Sequence, residues 1–136
     1  MRAMTTTTTT AVDGLLAAIT AGDGDAAASL YAVDAVLDAT VPGWRFSVRG
    51  NTRIAERFAQ WFADEGRFDE LERRPIPDGE VVTYLLTWVE NGVPHAAHHC
   101  HVLTLDADGL ITRDELFCGG RWDAALLARM QEAEND

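Results

Sequence analysis

Residues 101–117 read HVLTLDADGLITRDELF. Two apolar-rich arms flank the turn-forming segment DADG, which is the signature of an antiparallel hairpin. A two-residue turn at Ala107-Asp108 opposes Leu103 to Thr112 and His101 to Asp114. Moving the turn to Asp108-Gly109 leaves Asp114 diagonal to His101. Because side chains alternate with a period of two, both registers put the pair on one sheet face. An imidazole and a carboxylate are thereby predicted to meet.

The same parity extends outward. Asn91-Gly92 is a strong two-residue hairpin signal between the strands Val81–Glu90 and Ala96–Leu105. It pairs Tyr84 with His99 and Val82 with His101. The His101 face then carries Tyr84, Trp88, His99, Leu116 and Cys118 among further apolar residues. A mostly apolar wall with a few convergent polar groups is the make-up of a ligand pocket. Cys100 falls on the opposite face from Cys118, which disfavours a disulfide between them.

Upstream, Val12, Leu15, Leu16 and Ile19 recur at helical spacing and Gly22 stops the helix. Asp23 or Asp25 is expected to cap a second short helix running through Tyr31, and Ala35–Val41 reads as a strand before Pro42-Gly43. Asn51 is expected to cap a third helix with an apolar stripe of Ile54, Phe58, Trp61 and Phe62. Phe68–Arg74 is a strand. Gly119-Gly120 is expected to end the last strand, Leu110–Cys118, before a short C-terminal helix carrying Trp122, Leu126, Leu127 and Met130. Segregated helices and antiparallel strands make an α+β fold: a curved, mostly antiparallel sheet wrapped over about three N-terminal helices, forming a cone. Residues 1–10, with six consecutive threonines, read as a disordered tail with Met1 or Met4 as the start, and residues 11–136 as a single domain.

The chain has 136 residues, 22 acidic against 11 basic, for a net charge of −11. Such a surface repels nucleic-acid phosphates and anionic membranes alike. No apolar run reaches the ~20 residues of a membrane span. The N-terminal stretch lacks the basic and apolar regions of a signal peptide, and two cysteines make no disulfide framework, so a reduced, cytoplasmic protein is expected.

Several residues carry two readings. His101 and Asp114 either form a structural pair or an acid–base pair, in which the carboxylate fixes the tautomer and raises the basicity of the imidazole. His99, His101 and Asp114 are an alternative metal triad of two histidines and a carboxylate. Asp38 enters the pocket if the first strand is shifted by one residue; otherwise it is solvated or pairs with an arginine. Trp44 is either a lid over the cone mouth, with Arg45 as a clamp, or a core plug. Tyr84 either donates to a ligand carbonyl or lines the wall. Cys118 lies near the pocket without a clear cationic neighbour that would make its thiol nucleophilic.

Three segments, AGDGDAAASLYAVDAVLDATV, VRGNTRIAERFAQWF and HVLTLDADGLITRDELF, resemble the nuclear transport factor 2-like superfamily of α+β cones over about four-fifths of the chain. Against the ketosteroid isomerases of that superfamily, the tyrosine, base and protonated-aspartate positions fall on Leu15, Ala39 and His101, with Asp38 one residue from the base position. The SnoaL-like polyketide cyclases match better, since they pair a histidine on the penultimate strand with an aspartate on the last, as His101 and Asp114 do here. That resemblance implies a cofactor-independent cyclase or isomerase. Its aspartate would remove a proton alpha to the carbonyl of a small apolar, polyketide-like compound. It also implies a homodimer formed through the sheet. A non-catalytic binding or dimerisation module is the alternative.

Overall fold

The computed structural model describes residues 10–134; the threonine tail expected over residues 1–10 lies, except for Thr10, outside the described residues. Helix α1 (Ala11–Ala21) opens on Thr10, whose side chain accepts from the Asp13 amide while Asp13 accepts from the Thr10 amide. This reciprocal capping box satisfies two otherwise orphaned donors. Gly22, at φ 69°, closes the helix in the left-handed conformation that glycine tolerates best. Val12, Leu15, Leu16 and Ile19 face the core. The second helix is a single 3-10 segment, Gly24–Ser29, and ends before Tyr31, which instead begins strand β1 (Tyr31–Val41).

Strand β2 (Trp44–Arg49) folds back on β1 as a hairpin around Pro42-Gly43. Helix α2 (Asn51–Trp61) follows and buries Ile54, Ala55 and Phe58. Its N-cap is Gly50, not Asn51. The Asn51 side chain donates to the Ala28 carbonyl at 2.9 Å, tying α2 to the 3-10 segment. Four strands then form a meander: β3 (Gly66–Ile76), β4 (Gly79–Glu90), β5 (Val93–Leu105) and β6 (Ile111–Asp123).

The six strands make one sheet in the order β2-β1-β6-β5-β4-β3, antiparallel except for β1 beside β6. The β4–β5 register is the one the Asn91-Gly92 turn dictates, with Tyr84 opposite His99 and Val82 opposite His101. In the last hairpin His101 opposes Leu116 and Leu103 opposes Asp114, so His101 and Asp114 are diagonal neighbours on one face. Register shifts interrupt β1, β3, β5 and β6, and such bulges bend and twist a sheet. Gly119-Gly120 does not end β6: the strand continues to Asp123, with a register shift opposite Ala97–His99 taking up the irregularity. Helix α3 (Ala124–Glu134) buries no residue, although Leu126 and Leu127 are half-covered. No helix among the described residues is long and apolar enough to cross a membrane.

The 3-10 segment sits against α2 through Gly24. A Cβ placed there would lie 2.3 Å from the Phe58 carbonyl carbon and oxygen. Because these are backbone atoms, α2 itself would have to move. Gly24→Ala is therefore expected to destabilise the fold by about 1–3 kcal/mol, the usual range for overpacking. Urea unfolding checks this; an unchanged midpoint would show that the contact yields freely.

Candidate functional site

The inner face of the sheet holds a continuous chain of buried polar side chains. Asp114, on β6, is 0% exposed and His101, on β5, 1%. The Tyr31 hydroxyl, from β1, donates to Asp114 Oδ2 at 2.6 Å. His101 Nδ1 lies 3.0 Å from both carboxylate oxygens. On the other side of the ring, His101 Nε2 is 2.8 Å from the Tyr84 hydroxyl, which is also 3.0 Å from His99 Nδ1. The chain thus runs Tyr31, Asp114, His101, Tyr84, His99 across four neighbouring strands.

Each link follows from strand parity. Tyr84, His99 and His101 share a face because β4 and β5 pair in the register set by the Asn91-Gly92 turn. Asp114 joins them through the β5–β6 hairpin. Tyr31 joins because β1 runs parallel to β6, pairing Tyr31 with Ile111 and Leu37 with Asp114. The sequence reading missed Tyr31 by placing it at a helix end. Alternation alone does not announce it, because the register shift between Tyr31 and Val36 breaks the period and leaves Val33 81% exposed.

Burial, reinforced by the Asp114 charge, raises the hydroxyl pKa of both Tyr31 and Tyr84 well above normal, so both are neutral donors. Burial, together with the nearby His101 and His98, lowers the His99 pKa to about 3, so its imidazole is neutral near pH 7.

A cavity of about 640 Å³ lies at the end of this chain. Trp61, Phe62, Leu86, Trp88 and Leu116 supply much of its apolar wall, with His99 and Cys118 as polar interruptions and Glu90 and Arg121 among its charged residues. Glu90 and Arg121 are ion-paired with each other. Of the residues singled out from sequence, Trp88, His99, Leu116 and Cys118 thus line one cavity. Tyr84, His101 and Asp114 stand behind His99 rather than on the wall. Leu15 is packed in the core from α1, away from the cavity lining.

Two residues that carried alternative readings take definite places: Asp38 follows its arginine-paired reading, and Trp44 follows neither of its two. Asp38 sits on the outer sheet face, since Leu37 and Ala39 take the inner positions. Arg45 binds it through Nε and Nη2 at 3.1 and 2.9 Å, and Arg113 adds a contact at 3.2 Å. The Arg45 hydrogen bonds hold its carboxyl below the usual range. The sheet therefore separates Asp38 from His101 and Asp114. Trp44 is 68% exposed on β2 and is neither lid nor core plug, because the chain after Pro42-Gly43 pairs as a strand instead of looping over the mouth.

Among the described residues, no three His, Cys, Asp or Glu side chains come together as a metal-holding group. The physical reason is Tyr84: its hydroxyl occupies the space between the facing nitrogens of His99 and His101. Of the donor set of the metal alternative, His99 Nδ1, both His101 nitrogens and the Asp114 carboxylate are already held in hydrogen bonds. Cys100 and Cys118 are both free thiols.

A curved α+β sheet over helices, with a cavity ending on a buried polar chain, defines the class of cone-shaped domains. The model of the SnoaL-like domain matches residues 12–114. The chain belongs to that family, within the nuclear transport factor 2-like superfamily. No curated protein matches it. Among solved structures, a hypothetical protein with a ketosteroid isomerase-like fold from Catenulispora acidiphila, in complex with trimethylamine, is similar at TM-score 0.63 and 18% identity. That similarity covers 87% of this chain and 89% of the other. A structure from work on de novo design of proteins with diverse pocket structures is similar at TM-score 0.58 and 15% identity, covering 79% and 95%. Both likenesses concern the fold.

The His99 environment has a thermodynamic consequence. Its imidazole binds a proton near pH 6.5 when unfolded but only near about 3 when folded. The unfolded state therefore binds more protons between these values. This contribution to stability is complete above pH 6.5 and is lost as pH falls toward 3, by up to ~1.4 kcal/mol per pH unit. His99→Gln is expected to flatten the stability profile between pH 6 and 4 relative to the parent. Urea melts across that range test it, and parallel profiles would refute neutral burial of His99.

Proposed function

We propose that this protein is a cofactor-independent cyclase or isomerase. It moves a proton on a small, apolar, polyketide-like carbonyl compound held in the cone cavity. The observation that carries this reading is the unbroken hydrogen-bonded path from Asp114 through His101 and Tyr84 to a cavity-lining histidine. Asp114 and His101 supply the acid–base pair. An apolar cavity favours such chemistry because hydrogen bonds and charges act more strongly where water is excluded. Membership of the SnoaL-like family supports the class of reaction.

A binding module without chemistry is the second reading, favoured by the complete enclosure of Asp114 and His101. On either reading we infer a homodimer formed through the outer sheet face, where Phe117 is exposed beside Cys100. A reducing, cytoplasmic setting agrees with the two free thiols.

A thermal-shift screen against planar polyketides and steroid-like enones, on the parent and Asp114→Asn together, tests the function. A ligand at 100 times its Kd stabilises by about 2.7 kcal/mol, worth several degrees in Tm at this size. Because Asp114 stands behind the wall, the ligand-induced shift is expected to persist in Asp114→Asn. Turnover of the same ligand is expected to vanish. Full turnover in Asp114→Asn would overturn the mechanism, and binding without turnover in the parent would favour the binding module.

A further inference from the structure

We infer that His99 is the group that meets the ligand, and that Tyr84 carries its proton inward to His101. This rests on the proton-transfer reading and deepens it. His99 is the one member of the polar chain that lines the cavity, and it is 7% exposed. Its Nδ1 is engaged by Tyr84, and among the described residues its Nε2 has no hydrogen-bond partner. That nitrogen is the only atom of the chain left to act on a bound molecule.

The donor and acceptor inventory fixes the proton positions. An Asp114 carboxylate only accepts, so Tyr31 donates to it and His101 donates from Nδ1. With neutral His101, Nε2 is then an acceptor and takes the Tyr84 hydroxyl proton. The Tyr84 oxygen in turn accepts from His99 Nδ1–H. His99 Nε2 is left with a bare lone pair toward the cavity.

Abstraction runs this chain in the other direction. The ligand C–H bond alpha to a carbonyl breaks and its proton joins His99 Nε2, while the electron pair stays on the ligand as an enolate. His99 passes its Nδ1 proton to the Tyr84 oxygen, and Tyr84 passes its own to His101 Nε2. The positive charge comes to rest on His101, 3.0 Å from the Asp114 carboxylate, and charge is conserved. Reversal of the chain returns a proton to the ligand. His99 is thus a base that never has to hold an imidazolium, which its burial strongly disfavours. Tyr84, a neutral phenol in both settings, is the positioning residue.

Histidine ¹⁵N NMR on the ligand-free protein tests this apart from any turnover, with His99→Gln used to assign signals. The groups facing the two rings are Tyr84, Asp114, Tyr31 behind it, Cys118 and His98. At pH 7 both His99 and His101 are expected as Nδ1–H tautomers. In Tyr84→Phe, which removes the acceptor that holds the Nδ1 proton, His99 is expected to lose that preference and to show mixed tautomers. His99 in the Nε2–H form at pH 7, or a His99 tautomer unchanged in Tyr84→Phe, would overturn the inference. If the tautomers behave as expected but no carbonyl ligand ever turns over, the relay stands and the enzymatic reading fails. Should Tyr84→Phe not fold, the parent spectrum alone decides.

Discussion

The Asp114 carboxylate is the constraint around which the inner face is built. Removing an ionised carboxylate from water costs several kcal/mol unless hydrogen bonds replace the lost solvation. Here the replacements come from Tyr31 and His101, and each in turn belongs to a different strand. A polar group that remained unpaired at this depth would cost more than the bond itself contributes. Satisfying one carboxylate therefore couples β1, β5 and β6, and Tyr84 extends the coupling to β4. Among the described residues the β1–β6 pairing is the one parallel contact of the sheet, and Tyr31 on Asp114 bridges it on the inner face as Arg113 on Asp38 does on the outer.

An aromatic row covers this chain on the helix side. Phe58 stands edge-on to Tyr31 at 5.9 Å, Phe62 edge-on to Phe58 at 5.4 Å, and His99 edge-on to Phe62 at 5.9 Å. The two ends of the row, Tyr31 and His99, are the two ends of the polar chain. Edge-to-face contacts of this kind add to the burial term through the ring quadrupoles. The α2 stripe thus does two jobs: it supplies core and it excludes water from the hydrogen bonds beneath. Gly24, by letting the 3-10 segment approach the α2 backbone, helps hold that stripe in place.

Much of this arrangement is legible in the sequence. Period-two alternation and the Asn91-Gly92 turn set Tyr84 opposite His99 correctly, and the DADG segment put His101 and Asp114 on one face. These are local rules acting over short loops, where one turn dictates a whole register. What escaped depended on non-local pairing. Tyr31 reaches Asp114 only because β1 lies beside β6, a contact between residues 83 positions apart that no turn announces. Trp44–Arg49 pairs as an edge strand although the Trp44–Phe46 stretch after Pro42-Gly43 reads equally well as a loop. Gly119-Gly120 reads as a stop, yet paired neighbours carry β6 through it. The cavity wall was visible as a face, but which of its polar members would be screened by others was not. That order depends on depth along a curved sheet, which parity does not encode.

Depth also decides where charge resides. Asp38 and Asp114 occupy adjacent strands, yet one faces two arginines across the outer surface and the other faces only neutral donors and an imidazole. The outer carboxylate has cations to neutralise it at all times. The inner one has a partner that is able to become cationic, and a hydroxyl chain along which a proton can arrive. An ionised carboxylate without a permanent counter-ion is a costly arrangement for stability alone, since apolar replacements of buried ion pairs are often as stable or more so. Beneath the cavity, and linked to it by aligned donors and acceptors, this carboxylate has the placement that the proposed proton transfer calls for. A group used only for packing needs neither the link nor the opening at His99.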